Sequence, residues 1–333
     1  MSNDGVNILL ASYNGEKFIA AQIDSIVNQT HQNWQLYIRD DGSTDNTLKI
    51  IREYERKFAG IHVINDNYGN VGSCQNFSLL TTSVKNGNEY TMFCDQDDVW
   101  MPGKIEITLK EMLNAEKLYG KDYPLLVHTN FLYADEKLKP IKSKENFQPN
   151  KTRTELANLL CQNHVKGCTQ LINKKLLDLV GADPPAAENH DYWVALVASA
   201  FAKVIYINEK TMLYRQHGEN ISTQFNDDSF IKRFRRILIE RKNFQDIESK
   251  RKMAFAFKEI YYDRLSTENK KVLDCFIEFF EYKTLSLIIR NVKNGIRRQT
   301  FSQTLLFYVT ALLLKRNTFA KSTALLFIMF ATL

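Results

Sequence analysis

No G-x-G-x-x-G follows the first apolar run of this chain, and no G-x-x-x-x-G-K-S/T occurs anywhere in it. Neither a dinucleotide-binding turn nor a P-loop is therefore supported. Proline is scarce, with six in 333 residues, and no low-complexity linker or internal repeat interrupts the chain. The five cysteines (Cys74, Cys94, Cys161, Cys168 and Cys275) form no C-x-x-C pair and make an odd count. That excludes a disulfide scaffold, and with no secretory leader at the N-terminus the expectation is a reducing cytosol. N-x-S/T triplets such as Asn28-Gln29-Thr30 then carry no glycan. Long apolar runs are missing too: Leu305–Leu314 and Ala324–Leu333 reach ten residues each. About 20 are needed to cross a bilayer. Nor is basic charge spread along the chain. The net charge of +6 is accounted for by Ile231–Lys252, with nine Lys/Arg against three Asp/Glu. A nucleic-acid groove would distribute its cations over the fold, so nucleic acid is not expected as a partner.

What is present is a globular composition, 44% hydrophobic and 25% charged. The length suits one α/β domain, residues 1–225, followed by a helical, basic and apolar region, 226–333. Val6–Ala11 is a continuous apolar run, as expected of a strand buried on both faces. Turn chemistry at Ser12-Tyr13-Asn14-Gly15 follows, then a helix-period segment, Glu16–Val27. A second strand, Trp34–Arg39, ends at Asp40-Asp41-Gly42-Ser43-Thr44-Asp45, where Ser43 or Thr44 is expected to cap a helix reaching Phe58. Ile61–Ile64 precedes a third polar loop, Asn67–Asn76, and a fourth apolar run, Tyr90–Cys94, ends in Asp95, Asp97 and Asp98. The recurring order of strand, loop and helix predicts a mostly parallel sheet flanked by helices. In such sheets ligands sit beyond the carboxyl ends of the strands, and all four polar clusters fall there.

Three like charges this close are costly unless solvated or shared with a cation. Residues i and i+2 of an extended segment point the same way, so Asp95 and Asp97 can converge on one object. Carboxylate oxygens suit a hard divalent ion, Mn²⁺ or Mg²⁺. A lone D-x-D reads as a solvated acidic turn, but four such loops on one rim favour a nucleotide site.

Ala11-Ser12-Tyr13-Asn14-Gly15, Asp40–Asp45 and Asp95-Gln96-Asp97-Asp98-Val99-Trp100 resemble, in order and spacing, the signatures of the family-two inverting glycosyltransferases. Those enzymes have the GT-A (nucleotide-diphospho-sugar transferase) fold, and the resemblance covers roughly residues 5–220. Asn189–Trp193 and Tyr214-Arg215-Gln216-His217-Gly218 resemble the bacterial rhamnosyltransferase-like branch, which builds cell-wall or capsular polysaccharide.

The resemblance implies roles position by position. Ala11, Ser12 and Tyr13 would line base and ribose, and Asp40 would accept the N3–H that uracil and thymine share, admitting UDP or dTDP donors. Asp95 would face the ribose and Asp97 would ligate the metal. His217 would complete that site or bond the diphosphate. Asp191, in Glu188-Asn189-His190-Asp191-Tyr192-Trp193, would be the base for the acceptor hydroxyl, with Glu188 as runner-up. Asp98, Trp100, Thr169, Gln170, His190 and Arg215 are placed around the donor sugar, its diphosphate and the acceptor. Two departures stand out. His190 replaces the acid that often precedes the base, and Cys74-Gln75-Asn76 replaces an Ala-Arg-Asn, so the phosphate charge must be met elsewhere.

The expected activity is transfer of L-rhamnose from dTDP-rhamnose to a saccharide or lipid-linked acceptor. A sugar nucleotidyltransferase and a non-catalytic assembly subunit are the competing readings. Phe230–Lys258 mixes apolar and basic residues as an interfacial helix does. It predicts a cytoplasmic protein held peripherally on the inner face of an anionic membrane. Packing of these helices on the main domain, or on a second copy in a homo-oligomer, is the alternative.

Overall fold

The computed structural model describes residues 4–84, 87–141, 152–218 and 243–313. The chain divides into two compact units, Met1–Thr154 with His164–Gln224, and Glu155–Asn163 with Phe225–Leu333. In the first unit β1 (Val6–Ser12), α1 (Ile19–Val27), β2 (Trp34–Asp40), α2 (Thr47–Lys57), β3 (Ile61–Val63), α3 (Ser73–Ser83) and β4 (Tyr90–Asp95) alternate strictly. Then come β5 (Val99–Trp100), α4 (Lys104–Tyr119), β6 (Leu125–Ala134) and, in the second unit, α5 (Leu156–Leu159). β7 (Gln170–Asn173), α6 (Lys174–Val180), α7 (His190–Phe201) and β8 (Lys203–Arg215) complete the first unit.

The eight strands form one sheet in the order β3-β2-β1-β4-β7-β6-β8-β5. Its first four strands are parallel, but β7 runs antiparallel to β4 and β6, and β5 antiparallel to β8. The sheet is therefore mostly parallel, as expected, and mixed only through the reversed β5 and β7, since β6 and β8 pair in parallel. β1 and β4 carry unbroken buried runs because helices cover both faces. α1 buries Ile19, Gln22, Ile23 and Ile26, the spacing of one helical stripe.

Helix α2 starts later than expected, at Thr47 after Asn46. Ser43 and Thr44 do not cap it, since their polar groups tie loops together instead: Ser43 bonds Asp40, and the Thr44 N–H donates to Asn14 Oδ1 at 2.9 Å.

The second unit is helical, with segments Asn243–Tyr261, Thr267–Tyr282, Leu285–Lys293 and Phe301–Leu313. Ser266 and Thr284 cap two of them by accepting from Asn269 N and Leu287 N. Phe257, Phe276, Phe279, Phe307 and Tyr308 form its core, and the Tyr308 hydroxyl donates to the Ile296 carbonyl at 2.8 Å. Glu155–Asn163 joins this unit through Asn158 Nδ2, which donates to the Gly295 carbonyl at 3.1 Å. The run beginning at Leu305 is core: Leu305–Val309 and Ala311 are buried. The Asn243–Tyr261 helix likewise buries Ile247, Met253, Ala254, Phe257 and Tyr261. Ala324–Leu333 and the part of Phe230–Lys258 before Asn243 lie outside the described residues. Among the described residues no helix is long and apolar enough to cross a membrane.

Candidate active site

Three neighbouring parallel strands end together. Ser12 pairs with Asp40 and Ala11 with Asp95, so the polar residues that terminate β1, β2 and β4 arrive at one rim. Ser12 Oγ donates to Asp40 Oδ1 at 3.1 Å, and Ser43 gives the same carboxylate its N–H (2.9 Å) and its hydroxyl (2.6 Å). Asn14, left-handed at φ 47°, accepts from Thr44 N and locks the first loop to the second. Asp41 turns the other way. It is buried against the equally buried Arg39 (2.7 Å) and accepts the Val71 and Gly72 N–H groups at 2.9 and 2.8 Å. Arg39 also holds Asp66 and the Gly69 carbonyl, so this ion pair anchors the third loop.

The acidic cluster splits by orientation. Asp97 Oδ2 meets His217 Nε2 at 2.8 Å, and the His217 ring packs on Phe18 at 4.6 Å between centroids. Asp95 and the buried Asp98 face the Cys168 sulfur, and the three ligand atoms lie within 4.8 Å of one another. Burial, then the charges of Asp97 and Asp191, push the Asp95 carboxyl up to about 7. Asp98 is driven well above the ordinary carboxylate range by burial and by Asp97 and Asp95. Lys166 supplies opposing positive charge at Asp95. Under the cluster lies buried Lys104, lowered to about 8 by desolvation, with Nζ 3.3 Å from Thr211 Oγ1. Crowded carboxylates whose protons are held by burial and then by mutual repulsion form an oxygen donor set that fits a hard divalent cation.

Asp191 occupies the first turn of α7, and its Oδ2 accepts the Gly167 N–H at 2.9 Å. Gly167 adjoins Cys168, so the acid at the start of α7 reaches the same rim as Asp95, whose proton it helps retain. Gly167 has no room for a side chain. A Cβ there would stand 2.7 Å from His190 Nε2 and 3.0 Å from Asp191 Cβ.

Five residues expected around donor and acceptor lie elsewhere. His190 is buried and stacked on Phe77 at 3.7 Å, and burial lowers its imidazole to about 4, so it is neutral packing. Trp100 points into the core, where Lys104 Nζ lies 5.0 Å from its ring. Thr169 Oγ1 donates to the Lys166 carbonyl, and Gln170 Nε2 donates to the Val165 and Asp191 carbonyls, both side chains being buried. Arg215 is also buried: its N–H donates to Asp98 Oδ1 (3.0 Å) and its guanidinium to the carbonyls of Asp97 (2.6 Å) and Glu136 (2.5 Å). It shapes the acidic turn from behind. Ser12, Tyr13, Asp40, Asp95, Asp97, Asp191 and His217 remain at the rim, with Asp98 beneath.

Sequence reasoning missed Gln96, Lys166, Cys168 and Asp183. Asp183 is pushed up to about 7 by burial and by Asp191, yet in Gly181-Ala182-Asp183-Pro184 it reads as an ordinary turn residue.

The mixed sheet flanked by helices, with its acidic turn at the β4 rim, defines a GT-A-type fold. Staphylococcus aureus TarS 1-349, solved in complex with UDP-GlcNAc, superimposes with a TM-score of 0.56 at 14% identity, over 92% of this chain and 81% of that one. Residues 7–168 match the glycosyl transferase family 2 domain. The dTDP-rhamnosyl transferase RfbG of Shigella flexneri is 30% identical over 222 residues, 63% of this chain and 72% of that protein. The Escherichia coli glucosyltransferase WfgD, which acts on α-D-GlcNAc-diphosphoundecaprenol, is 33% identical over 118 residues, 34% of this chain and 44% of that one. The chain belongs to glycosyl transferase family 2.

Proposed function

We propose that this chain is an inverting, metal-dependent glycosyltransferase using a pyrimidine nucleotide sugar, with dTDP-L-rhamnose as donor. The acceptor is a saccharide or lipid-linked saccharide of a bacterial surface polysaccharide. The observation that carries this reading is the arrival of Asp40, Asp95, Asp97 and Asp191 at one rim, from three different segments. The rhamnose preference leans on the likeness to RfbG, and the lipid-linked acceptor on the likeness to WfgD.

Asp40 has capacity to spare. A carboxylate offers about four acceptor positions, and Ser12 and Ser43 leave room for the N3–H of uracil or thymine. Asp97, Asp95 and His217 would hold Mn²⁺ or Mg²⁺, which when bound offsets the charge growing on the departing diphosphate. Lys166 adds fixed positive charge beside Asp95, in a chain whose third loop carries Cys74-Gln75-Asn76. Asp191 is anchored through one oxygen by the Gly167 N–H, so its other oxygen can take the acceptor proton. The acceptor oxygen then bonds to the anomeric carbon as the bond to the diphosphate breaks, and configuration inverts.

The nucleotidyltransferase alternative would want a Gly-rich basic loop after β1, whereas Ser12–Lys17 carries a single glycine and a single lysine. A panel of nucleotide sugars with Mn²⁺ or Mg²⁺, read by donor hydrolysis, tests the proposal. Asp97→Ala and Asp191→Ala should each lower turnover by about 10²–10⁴-fold, the range for a lost acid–base group. Turnover within about tenfold of wild type in either variant refutes the assigned roles, and no turnover by wild type on any donor favours the non-catalytic reading.

We further propose peripheral placement on an anionic membrane surface. From Tyr282 to Phe301 there is no acidic residue, while Lys283, Arg290, Lys293 and Arg297 accompany exposed Tyr282, Ile289, Val292 and Phe301.

A further inference from the structure

Gln96 stands between Asp95 and Asp97 and has no part in the chemistry above. It lies in the turn that follows β4. It reaches across to the loop leaving β1, and both ends of its amide are used there. Oε1 accepts the Tyr13 N–H at 2.9 Å and Nε2 donates to the Tyr13 carbonyl at 2.9 Å. The β1–β4 ladder ends at Ala11↔Asp95. Beyond it the Gln96 amide does by side chain what a further strand residue would do by backbone.

Space for this contact is provided at Gly15. A Cβ there would stand 2.3 Å from Gln96 Oε1 and 2.6 Å from its Cδ, well inside any tolerated contact. Tyr13 is thereby held from two sides. Its neighbour Ser12 donates to Asp40 Oδ1 at 3.1 Å, and its own peptide groups are clasped by the residue that links Asp95 to Asp97. The half-exposed Tyr13 ring (46%) rises from this clasped segment at the rim.

We infer that Gln96 is a positioning residue that couples the cation-binding carboxylates to the base-binding loop, so that metal and pyrimidine nucleotide strengthen each other's binding through the Gln96–Tyr13 clasp. The inference rests on the proposed function above. Settling Asp95 and Asp97 on a cation fixes the peptide between them, which fixes the Gln96 side chain and hence the Tyr13 backbone. Coupling is reciprocal, so a nucleotide that orders Tyr13 must tighten metal binding by the same factor.

The test is titration calorimetry of UDP and dTDP on the full chain, with and without Mn²⁺. Wild type should show a Kd ratio in the range usual for coupled sites, about 5- to 150-fold. Gln96→Met keeps the volume but neither hydrogen bond, and Gly15→Ala displaces the amide from the opposite side. Each should cut the ratio by about threefold or more, the remainder being the metal's own effect on the diphosphate, which neither substitution touches. Two variants are used because loss in one alone can reflect misfolding, and matched thermal midpoints identify the folded one. A folded variant that keeps the wild-type ratio overturns the clasp alone. Failure of wild type to bind either nucleotide overturns the functional reading and the clasp with it.

Discussion

Replacing Arg39 by Met should cost about 3 kcal/mol, the lower end of the 3–5 kcal/mol range for breaking a buried ion pair. Met fills the volume of the Arg stem but leaves the Asp41 carboxylate, only 2% exposed, with no cation. The loss lies at the lower end for two reasons. Asp41 keeps the Val71 and Gly72 N–H bonds, and the second partner, Asp66, has a 21% exposed side chain that water can serve. If the cost comes from the stranded charge, Arg39→Met with Asp41→Asn should recover about 2 kcal/mol relative to the sum of the single changes, within the range for residues in one network. The assay is urea unfolding followed by tryptophan fluorescence. Trp34, Trp100 and Trp193 all lie in the first unit, so the signal reports the unit that contains the pair. Because Arg39 also grips Gly69, the third loop should lose its hold beside Asp40 and nucleotide affinity should fall in the same variant. A loss below about 1 kcal/mol, or additivity in the double variant, would show that water replaces the guanidinium and that the pair anchors nothing.

Two further outcomes are expected. Asp183 is raised to about 7 from an ordinary 3.8, so the folded state keeps a proton that the unfolded chain releases. Its contribution is intact below about pH 4 and is lost as pH rises to about 7, at most about 4 kcal/mol by linkage. Asp183→Asn should therefore flatten the stability profile between pH 4 and 7 and be more stable than wild type at pH 8. An unchanged slope in urea unfolding refutes this. The full chain should pellet with phosphatidylglycerol vesicles at low salt. Replacing Lys283, Lys293 and Arg297 by Gln should weaken that binding about 100-fold at about 1 kcal/mol per charge. Equal pelleting of the triple variant removes the membrane surface from the proposal.

The rim was legible in the sequence because its determinants are local. A parallel strand buried on both faces ends where its apolar run ends, so Ser12, Asp40 and Asp95 could be placed at one edge before their register was known. What stayed hidden depends on distant partners. The antiparallel β7 is four residues long, Gln170–Asn173, and nothing within it reveals that it will insert between β4 and β6. Trp100 and His190 sit beside the rim acids in sequence, yet one joins the core cluster and the other stacks on Phe77 from α3, contacts that no local pattern encodes.

The resemblance implies a place near the diphosphate for Arg215. Its Nε and one terminal nitrogen donate to the carbonyls of Asp97 and Glu136, so the guanidinium holds the acidic turn in shape. Gln96 is hidden in the sequence for a different reason: within Asp95-Gln96-Asp97-Asp98 the acids carry the recognisable pattern, whereas the amide is used across the rim at Tyr13. That side chain ends in a carbonyl acceptor and an NH2 donor, which together match the N–H and C=O that the open end of β1 presents side by side at Tyr13. The turn that presents the acidic cluster therefore also carries a strut to the neighbouring loop, provided that loop has a glycine where the amide arrives, as it does at Gly15.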